Sequence, residues 1–146
     1  MSVFWRRQQS AIANRKGDCS SSGQLKTLEL NHVAIRVSDV ERSCAFYREV
    51  LQLEQIPRPA FDFPGAWFRL GSAQELHIIG GEKVERLIPQ SRGNHFALRV
   101  DDLQAWQQYL QPLDVIFRGP VKRPDGALQL FIADPDGHAI ELFTGP

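Results

Sequence analysis

Two histidines of this 146-residue chain occupy equivalent positions in two copies of one short segment. Residues 31–37 read Asn-His-Val-Ala-Ile-Arg-Val, and residues 94–100 read Asn-His-Phe-Ala-Leu-Arg-Val. A repeat of this kind indicates two copies of one supersecondary unit. Imidazole binds metals and transfers protons near neutral pH. Two copies folded against each other could therefore bring two reactive side chains, His32 and His95, to one point.

The alternation of residues along a strand predicts which way these histidines face. Successive strand residues point to opposite sides of a sheet. Val33, Ile35 and Val37 share an apolar face, which we expect to cover a helix. His32 and Arg36 share the other face, which then looks into the concavity of the sheet. The same alternation places His95 and Arg99 on the concave side of the second copy.

The last strand of each half supplies one more metal-ligand candidate. Leu-His-Ile at residues 76–78 matches Ile-Glu-Leu at residues 140–142, so His77 and Glu141 occupy equivalent inward positions. His32 with His95 and His77 with Glu141 then form two equivalent pairs, which converge if the halves are related by an approximate twofold axis. Imidazole and carboxylate together suit Zn, Ni, Co, Mn or Fe. The side chains leave the identity of the divalent metal open.

Hydrophobic periodicity predicts the same order of elements, β-α-β-β-β, in both halves. The repeats cover residues 28–80 and 93–145, with a polar linker between them. Strands are predicted at residues 28–37, 53–58, 65–70, 75–79, 94–100, 115–118, 128–133 and 139–143, and helices at residues 39–51 and 103–110. A loop is expected around Gly119-Pro120.

Composition limits the function classes. The net charge is zero, but residues 1–26 carry +4 and the remainder carries −4, so the folded part has no basic footprint for nucleic acid. No apolar run approaches the roughly 20 residues of a membrane-spanning helix. Residues 1–26 are rich in Arg and Ser and predict a disordered tail before a single domain at 27–146, with organellar targeting as the minority interpretation. Two cysteines are too few for a disulfide framework, which favours the cytoplasm.

Three motifs together resemble the vicinal oxygen chelate superfamily. They are Asn-His-Val-Ala-Ile at 31–35, the helix residues 45–47 and 50–51, and Asp-Pro-Asp-Gly-His-Ala-Ile-Glu-Leu at 134–142. That superfamily includes glyoxalase I, fosfomycin-resistance transferases, extradiol dioxygenases, methylmalonyl-CoA epimerase and bleomycin-resistance proteins. The resemblance covers residues 28–145.

The resemblance implies an α+β fold, in which two βαβββ modules form a cupped mixed sheet with a divalent metal in the concavity. It also implies a homodimer. By position, it assigns the metal-ligand roles to His32, His77, His95 and Glu141, the four residues that the repeat already selects.

Departures from the family pattern reduce the number of candidate reactions. Glyoxalase I has a glutamate where this chain has His77, which leaves Glu141 as the carboxylate able to move protons. Fosfomycin transferases have a threonine where this chain has Ala34. Our leading hypothesis is a metal-dependent lyase or isomerase of glyoxalase type, acting on a small substrate with vicinal oxygens, with Glu141 as the catalytic proton shuttle. The alternatives are an Fe(II) extradiol-type dioxygenase and a non-catalytic small-ligand-binding protein of bleomycin-resistance type.

Further side chains are expected around this site. Arg36, Arg69 and Arg99 are candidate groups for binding an anionic part of the substrate. Three aromatic residues could line the pocket, namely Phe61, Trp67 and Phe68. His138 follows a predicted turn and is expected to be exposed rather than catalytic.

Overall fold

The computed structural model describes residues 25–81 and 93–145. The predicted tail lies almost entirely outside these residues, as does most of the predicted linker. Each half of the chain has the predicted order of one strand, one helical segment and three strands. The α+β fold built from two βαβββ modules is therefore confirmed. No helix among the described residues is long and apolar enough to cross a membrane.

The first module forms a four-stranded mixed sheet. Its elements are β1 (His32–Val37), α1 (Val40–Ala45, continued by a π-helical turn at Phe46–Val50), β2 (Gln55–Ile56), β3 (Gly65–Leu70) and β4 (Gln74–Gly80). The strand order is β1-β4-β3-β2, with β1 parallel to β4 and the other pairs antiparallel. Asp39 caps the helix, because its carboxylate accepts the backbone N–H of Arg42.

The second module repeats this sheet. Its elements are β5 (His95–Arg99), α2 (Leu103–Leu110), β6 (Phe117–Lys122), β7 (Leu128–Ala133) and β8 (Ala139–Thr144). The strand order is β5-β8-β7-β6, again with one parallel pair, β5 and β8. Asp102 caps α2 by accepting the backbone N–H groups of Gln104 and Ala105. The eight strands therefore form two sheets, and β1 and β5 are equivalent outer strands.

The prediction for β6 was wrong at its end. The strand does not stop before Gly119-Pro120 but continues through Lys122. Its pairing with β7 shifts register between Arg118 and Val121, which is a β-bulge. A bulge tolerates Pro120, which has no N–H to donate to the ladder. Gly119 has φ +111°, a left-handed conformation that glycine adopts without steric cost.

The predicted faces of the strands are confirmed. Along β1, Ile35 and Val37 are buried whereas His32 and Arg36 are exposed. The buried face packs with α1 over a core that contains Tyr47, Phe68, Leu76 and Ile78 from the first module. Cross-strand partners point to the same side of a sheet. Because Ala34 pairs with His77 and His77 pairs with Trp67, these three side chains form one row on the opposite, concave face.

A buried polar cluster joins the two modules. Asp134, at the β7–β8 turn, is 5% exposed and accepts a hydrogen bond from the Tyr47 hydroxyl of the first module at 3.0 Å. The Asp134 carboxylate also accepts hydrogen bonds from the backbone N–H groups of Asp136 and His138 and from Nδ1 of the His138 ring. Asp136 in turn accepts the backbone N–H of Ser38 at 2.9 Å. The turn of the second module is thereby tied to the start of the first helix.

This cluster corrects the prediction for His138 and explains two pKa shifts. The His138 side chain is only 14% exposed, and Nδ1 of its ring is hydrogen-bonded to the Asp134 carboxylate. Burial alone would raise the pKa of the Asp134 carboxyl, but the hydrogen bonds from His138 and Tyr47 outweigh it and lower that pKa. Burial and the neighbouring Asp134 carboxylate raise the pKa of Tyr47 well above its ordinary value. The Tyr47 hydroxyl therefore stays protonated and donates.

Candidate metal centre

The first pair of candidate ligands lies on the concave face of the first sheet. His32 and His77 are stacked, with ring centroids 4.2 Å apart and planes within 12°. Trp67 stacks against His77 at 4.1 Å, so His77 lies between the other two rings. The parallel pairing of β1 with β4 and the antiparallel pairing of β4 with β3 produce this row. The rings therefore hold each other in fixed orientations.

Hydrogen bonds determine which ring nitrogen of each histidine keeps a lone pair that could bind a metal. Nε2 of His77 lies 2.8 Å from Oε2 of Glu75, and an ionised carboxylate only accepts, so Nε2 donates. Nδ1 of His32 lies 2.9 Å from Oδ1 of Asn31. In the neutral imidazoles, the remaining lone pairs are those of Nδ1 in His77 and Nε2 in His32. Carboxylate and carbonyl partners of this kind orient metal-binding histidines in proteins.

The second pair lies on the concave face of the second sheet. Nε2 of His95 is 3.2 Å from Oε2 of Glu141. Nδ1 of His95 is 2.9 Å from the carbonyl oxygen of Gly93, which can only accept, so Nδ1 carries a proton. If the imidazole is neutral, a nitrogen lone pair and a carboxylate oxygen then face each other. Such a contact is favourable only with a cation there, either a proton on Nε2 or a metal ion.

Glu141 has an unsatisfied buried oxygen. The residue is 6% exposed, and its Oε1 has no hydrogen-bond partner within residues 25–81 and 93–145. The nearest charge is Nη1 of Arg123, at 3.7 Å from Oε1, and Nη2 of Arg123 is bonded to Asp125 at 2.7 Å. Buried carboxylates are normally paired, hydrogen-bonded or bound to metals. The donor set of His95 and Glu141 therefore fits a divalent cation.

The structure brings the four candidate ligands together as two pairs. His32 and His77 belong to the first sheet, whereas His95 and Glu141 belong to the second. Within residues 25–81 and 93–145, no three His, Cys, Asp or Glu side chains form a group that could hold a metal ion. The convergence of all four into one ligand set stays a prediction.

The candidate anion-binding arginines differ in their surroundings. Arg36 and Arg99 are exposed at the ends of β1 and β5, on the concave faces. Arg69 shares the concave face of the first sheet, but its Nε is already paired with Glu54 at 3.2 Å. Among the aromatic candidates, Phe68 cannot line the site because it is fully buried on the helix side.

Sequence reasoning missed three residues that contact or adjoin this centre. Glu75 orients His77, and Arg123 approaches Glu141. Arg58, after β2, packs on the phenyl rings of Phe61 and Phe63. Alternation could have identified Glu75, which is two residues before His77 and shares its face. The arginines lie outside regular alternation, so the sequence carried no comparable signal for them.

A cavity of about 650 Å³ lies between the modules along β5. His95 and Arg99 line it together with apolar side chains, including Val33, Phe96 and Trp106. Side chains from both faces of β5 take part, so the cavity follows the outer edge of that strand. Its volume is within the range typical of small-molecule sites.

Known proteins provide a comparison for this fold and these residues. A model of the Glyoxalase/Bleomycin resistance protein/Dioxygenase superfamily matches residues 29–142. The metallothiol transferase FosB of Bacillus licheniformis is 26% identical, over 82% of this chain and 77% of its own. The lactoylglutathione lyase of Schizosaccharomyces pombe is 30% identical over 86% of this chain, which spans half of that enzyme. A glyoxalase family protein of Bacillus anthracis is similar in structure, with a TM-score of 0.72, 26% identity and coverage of 85% of this chain and 100% of its own.

Proposed function

Because the chain belongs to the Glyoxalase/Bleomycin resistance protein/Dioxygenase superfamily, we propose that it is a divalent-metal-dependent lyase or isomerase of glyoxalase type. Its substrate is a small molecule with two adjacent oxygens. The observation that carries this proposal is the buried Oε1 of Glu141, which has no hydrogen-bond partner among the described residues and lies beside the metal-binding candidate His95.

The proposed metal ligands are His32, His77, His95 and Glu141. The tautomers support this set, since Nε2 of His32 and Nδ1 of His77 are the nitrogens left with lone pairs. When bound, the metal supplies Lewis-acid stabilisation of negative charge on the substrate oxygens. The ligand set itself suits Zn, Ni, Co, Mn or Fe.

Glu141 is the proposed proton shuttle. A carboxylate that moves protons must lie within reach of the substrate and be shielded from competing water. Burial shields Glu141, and its long ion-pair distance to Arg123 leaves Oε1 free to accept a proton from the substrate carbon and return it. Arg36 and Arg99, with the partnered Arg69 as a weaker candidate, are proposed to bind an anionic part of the substrate.

The two pairs are proposed to meet in a homodimer. Each sheet supplies half of the ligand set, and one histidine of each half lies on an outer strand, His32 on β1 and His95 on β5. An outer strand can face the sheet of a second copy. Light scattering on the purified chain is expected to give twice the 16.6 kDa mass of one chain. A monomer mass at all concentrations would contradict this arrangement.

A turnover assay tests the reaction. The chain is treated with a chelator, reloaded separately with Zn, Ni, Co, Mn or Fe, and supplied with methylglyoxal and glutathione. We expect loss of the hemithioacetal with at least one metal and none in the metal-free protein. Activity that needs no metal, or that survives His32→Ala combined with Glu141→Ala, would contradict the proposal.

The same protein preparation can be assayed for two other candidate reactions. The similarity to metallothiol transferases favours thiol addition as the second candidate, assayed with fosfomycin and a thiol. Ala34, where those enzymes have a threonine, argues against it. Oxygen uptake with a catechol tests the extradiol alternative, for which Fe(II) would be required. Turnover in either assay without hemithioacetal turnover would replace the glyoxalase-type proposal.

A further inference from the structure

A continuous row of rings leads away from the first pair of histidines. His77 stacks on Trp67, Trp67 lies 6.0 Å from Phe61, and Phe61 stacks on Phe63 at 5.2 Å, measured between ring centroids. Phe61 and Phe63 are 46% and 37% exposed, so both phenyl rings are partly open to solvent. Trp67 on the first sheet, together with Phe61 and Phe63 in the loop between β2 and β3, therefore forms an aromatic surface that begins at the candidate ligands and ends in solvent.

Arg58 lies at the far end of this row. Its guanidinium carbon is 4.7 Å from the Phe61 centroid and 4.8 Å from the Phe63 centroid, within cation–π range of both rings. Nη2 donates to the carbonyl oxygen of Phe63 at 2.9 Å, whereas the buried Nε has no hydrogen-bond partner in the described part of the chain. A guanidinium has five N–H donors, so this contact leaves most of them unused.

The charge of Arg58 is not neutralised by the parts of the chain that the structure describes. Arg42, Arg48, Arg69 and Arg123 each have a carboxylate within ion-pair distance there, and Arg58 has none. Holding a half-buried cation without a counter-ion costs free energy, which two cation–π contacts offset only in part. A bound anion would supply the missing partner, and the planar fork of arginine suits a carboxylate.

We propose that Arg58, Phe61, Phe63 and Trp67 form a subsite for a carboxylate attached to an aromatic group. The aromatic group packs on the exposed rings, and the carboxylate pairs with the guanidinium of Arg58. This subsite rests on the proposed function for its role, because it holds the part of the substrate remote from the oxygens that react. It makes the enzyme selective for aromatic acids over neutral analogues.

A matched pair of ligands tests this subsite without turnover. Binding of 1-naphthylacetate and of its neutral analogue 2-(1-naphthyl)ethanol to the full-length chain is measured by calorimetry, with no thiol present. Because a hydrogen bond to a charged group strengthens binding substantially, the acid is expected to bind about tenfold or more tightly than the alcohol. Arg58→Gln should remove this preference and leave binding of the alcohol unchanged.

Three variants keep the test specific. Arg58→Lys should retain part of the preference, and Phe61→Ala should weaken both ligands equally. Arg48→Gln, which changes an exposed arginine paired with Glu49, should behave like the wild type. Absence of a preference in the wild type, or its persistence in Arg58→Gln, would overturn the subsite. A chain that prefers the acid but shows no metal-dependent turnover would contradict the proposed function and leave this subsite standing.

Discussion

Replacing Glu141 with glutamine is expected to lower kcat at least about 100-fold in the metal-loaded protein, since a positioned general acid–base contributes about 10²–10⁴-fold. Glutamine preserves the shape of the side chain but cannot accept and return a proton at neutral pH. The substitution also changes the buried carboxylate whose Oε1 has no hydrogen-bond partner among the residues that the structure describes. The measurement is steady-state turnover of the hemithioacetal, with the metal content of each sample determined in parallel.

The control for this prediction is Glu49→Gln. Glu49 is exposed, and its carboxylate pairs only with Arg48 among the described contacts, so the kcat of this variant should stay within about twofold of the wild type. Loss of metal from the Glu141 variant would assign the effect to ligation rather than to proton transfer. A Glu141→Gln variant with both its metal and its full kcat would refute the catalytic role.

Replacing Asp134 with alanine is expected to lower the free energy of unfolding by about 2–4 kcal/mol. Hydrogen bonds to a buried charged group contribute about 1.5–3 kcal/mol, and each buried donor left without a partner costs about 1–3 kcal/mol. The substitution leaves the Tyr47 hydroxyl and the backbone N–H groups of Asp136 and His138 without their hydrogen-bond acceptor. Because Tyr47 belongs to the other module, the joint between the modules weakens. Urea denaturation followed by circular dichroism measures the change.

The pH dependence of this effect has a definite sign. The folded pKa of Asp134 lies below its ordinary value of 3.8. A depressed carboxyl pKa contributes stability that is fully present above the unfolded pKa and is lost as the pH falls through the folded pKa. The difference between the wild type and Asp134→Ala should therefore be largest near neutral pH and shrink below about pH 4. Asp114→Asn serves as the control, because Asp114 is exposed. A stability difference between the wild type and Asp134→Ala that does not change with pH would contradict the role of the Asp134 charge.

The sequence predicted the faces of the strands because alternation is a local property. His32 and His77 lie on the faces that a period of two assigns to them, and Glu141 lies beside His95 on the corresponding face of the second sheet. Alternation says nothing about how two sheets are placed relative to each other, so it could not determine whether the two pairs meet. Gly119-Pro120 was read as a loop because a bulge has the same residue preferences as a turn. The contact of His138 with Asp134 is local, across the turn at residues 134–138, but hydrophobic alternation carries no signal for it; only the Tyr47 contact of Asp134 crosses to the other module.

The proposed metal centre is tested most directly by the metal content per chain of two double variants and their mixture. His32→Ala/His77→Ala removes one half of the ligand set, and His95→Ala/Glu141→Ala removes the other. We predict about one divalent metal per wild-type chain and almost none in either variant. When the two variants are unfolded and refolded together, dimers with one chain of each should regain one intact site. Wild-type metal content in both double variants would contradict the proposed ligand set.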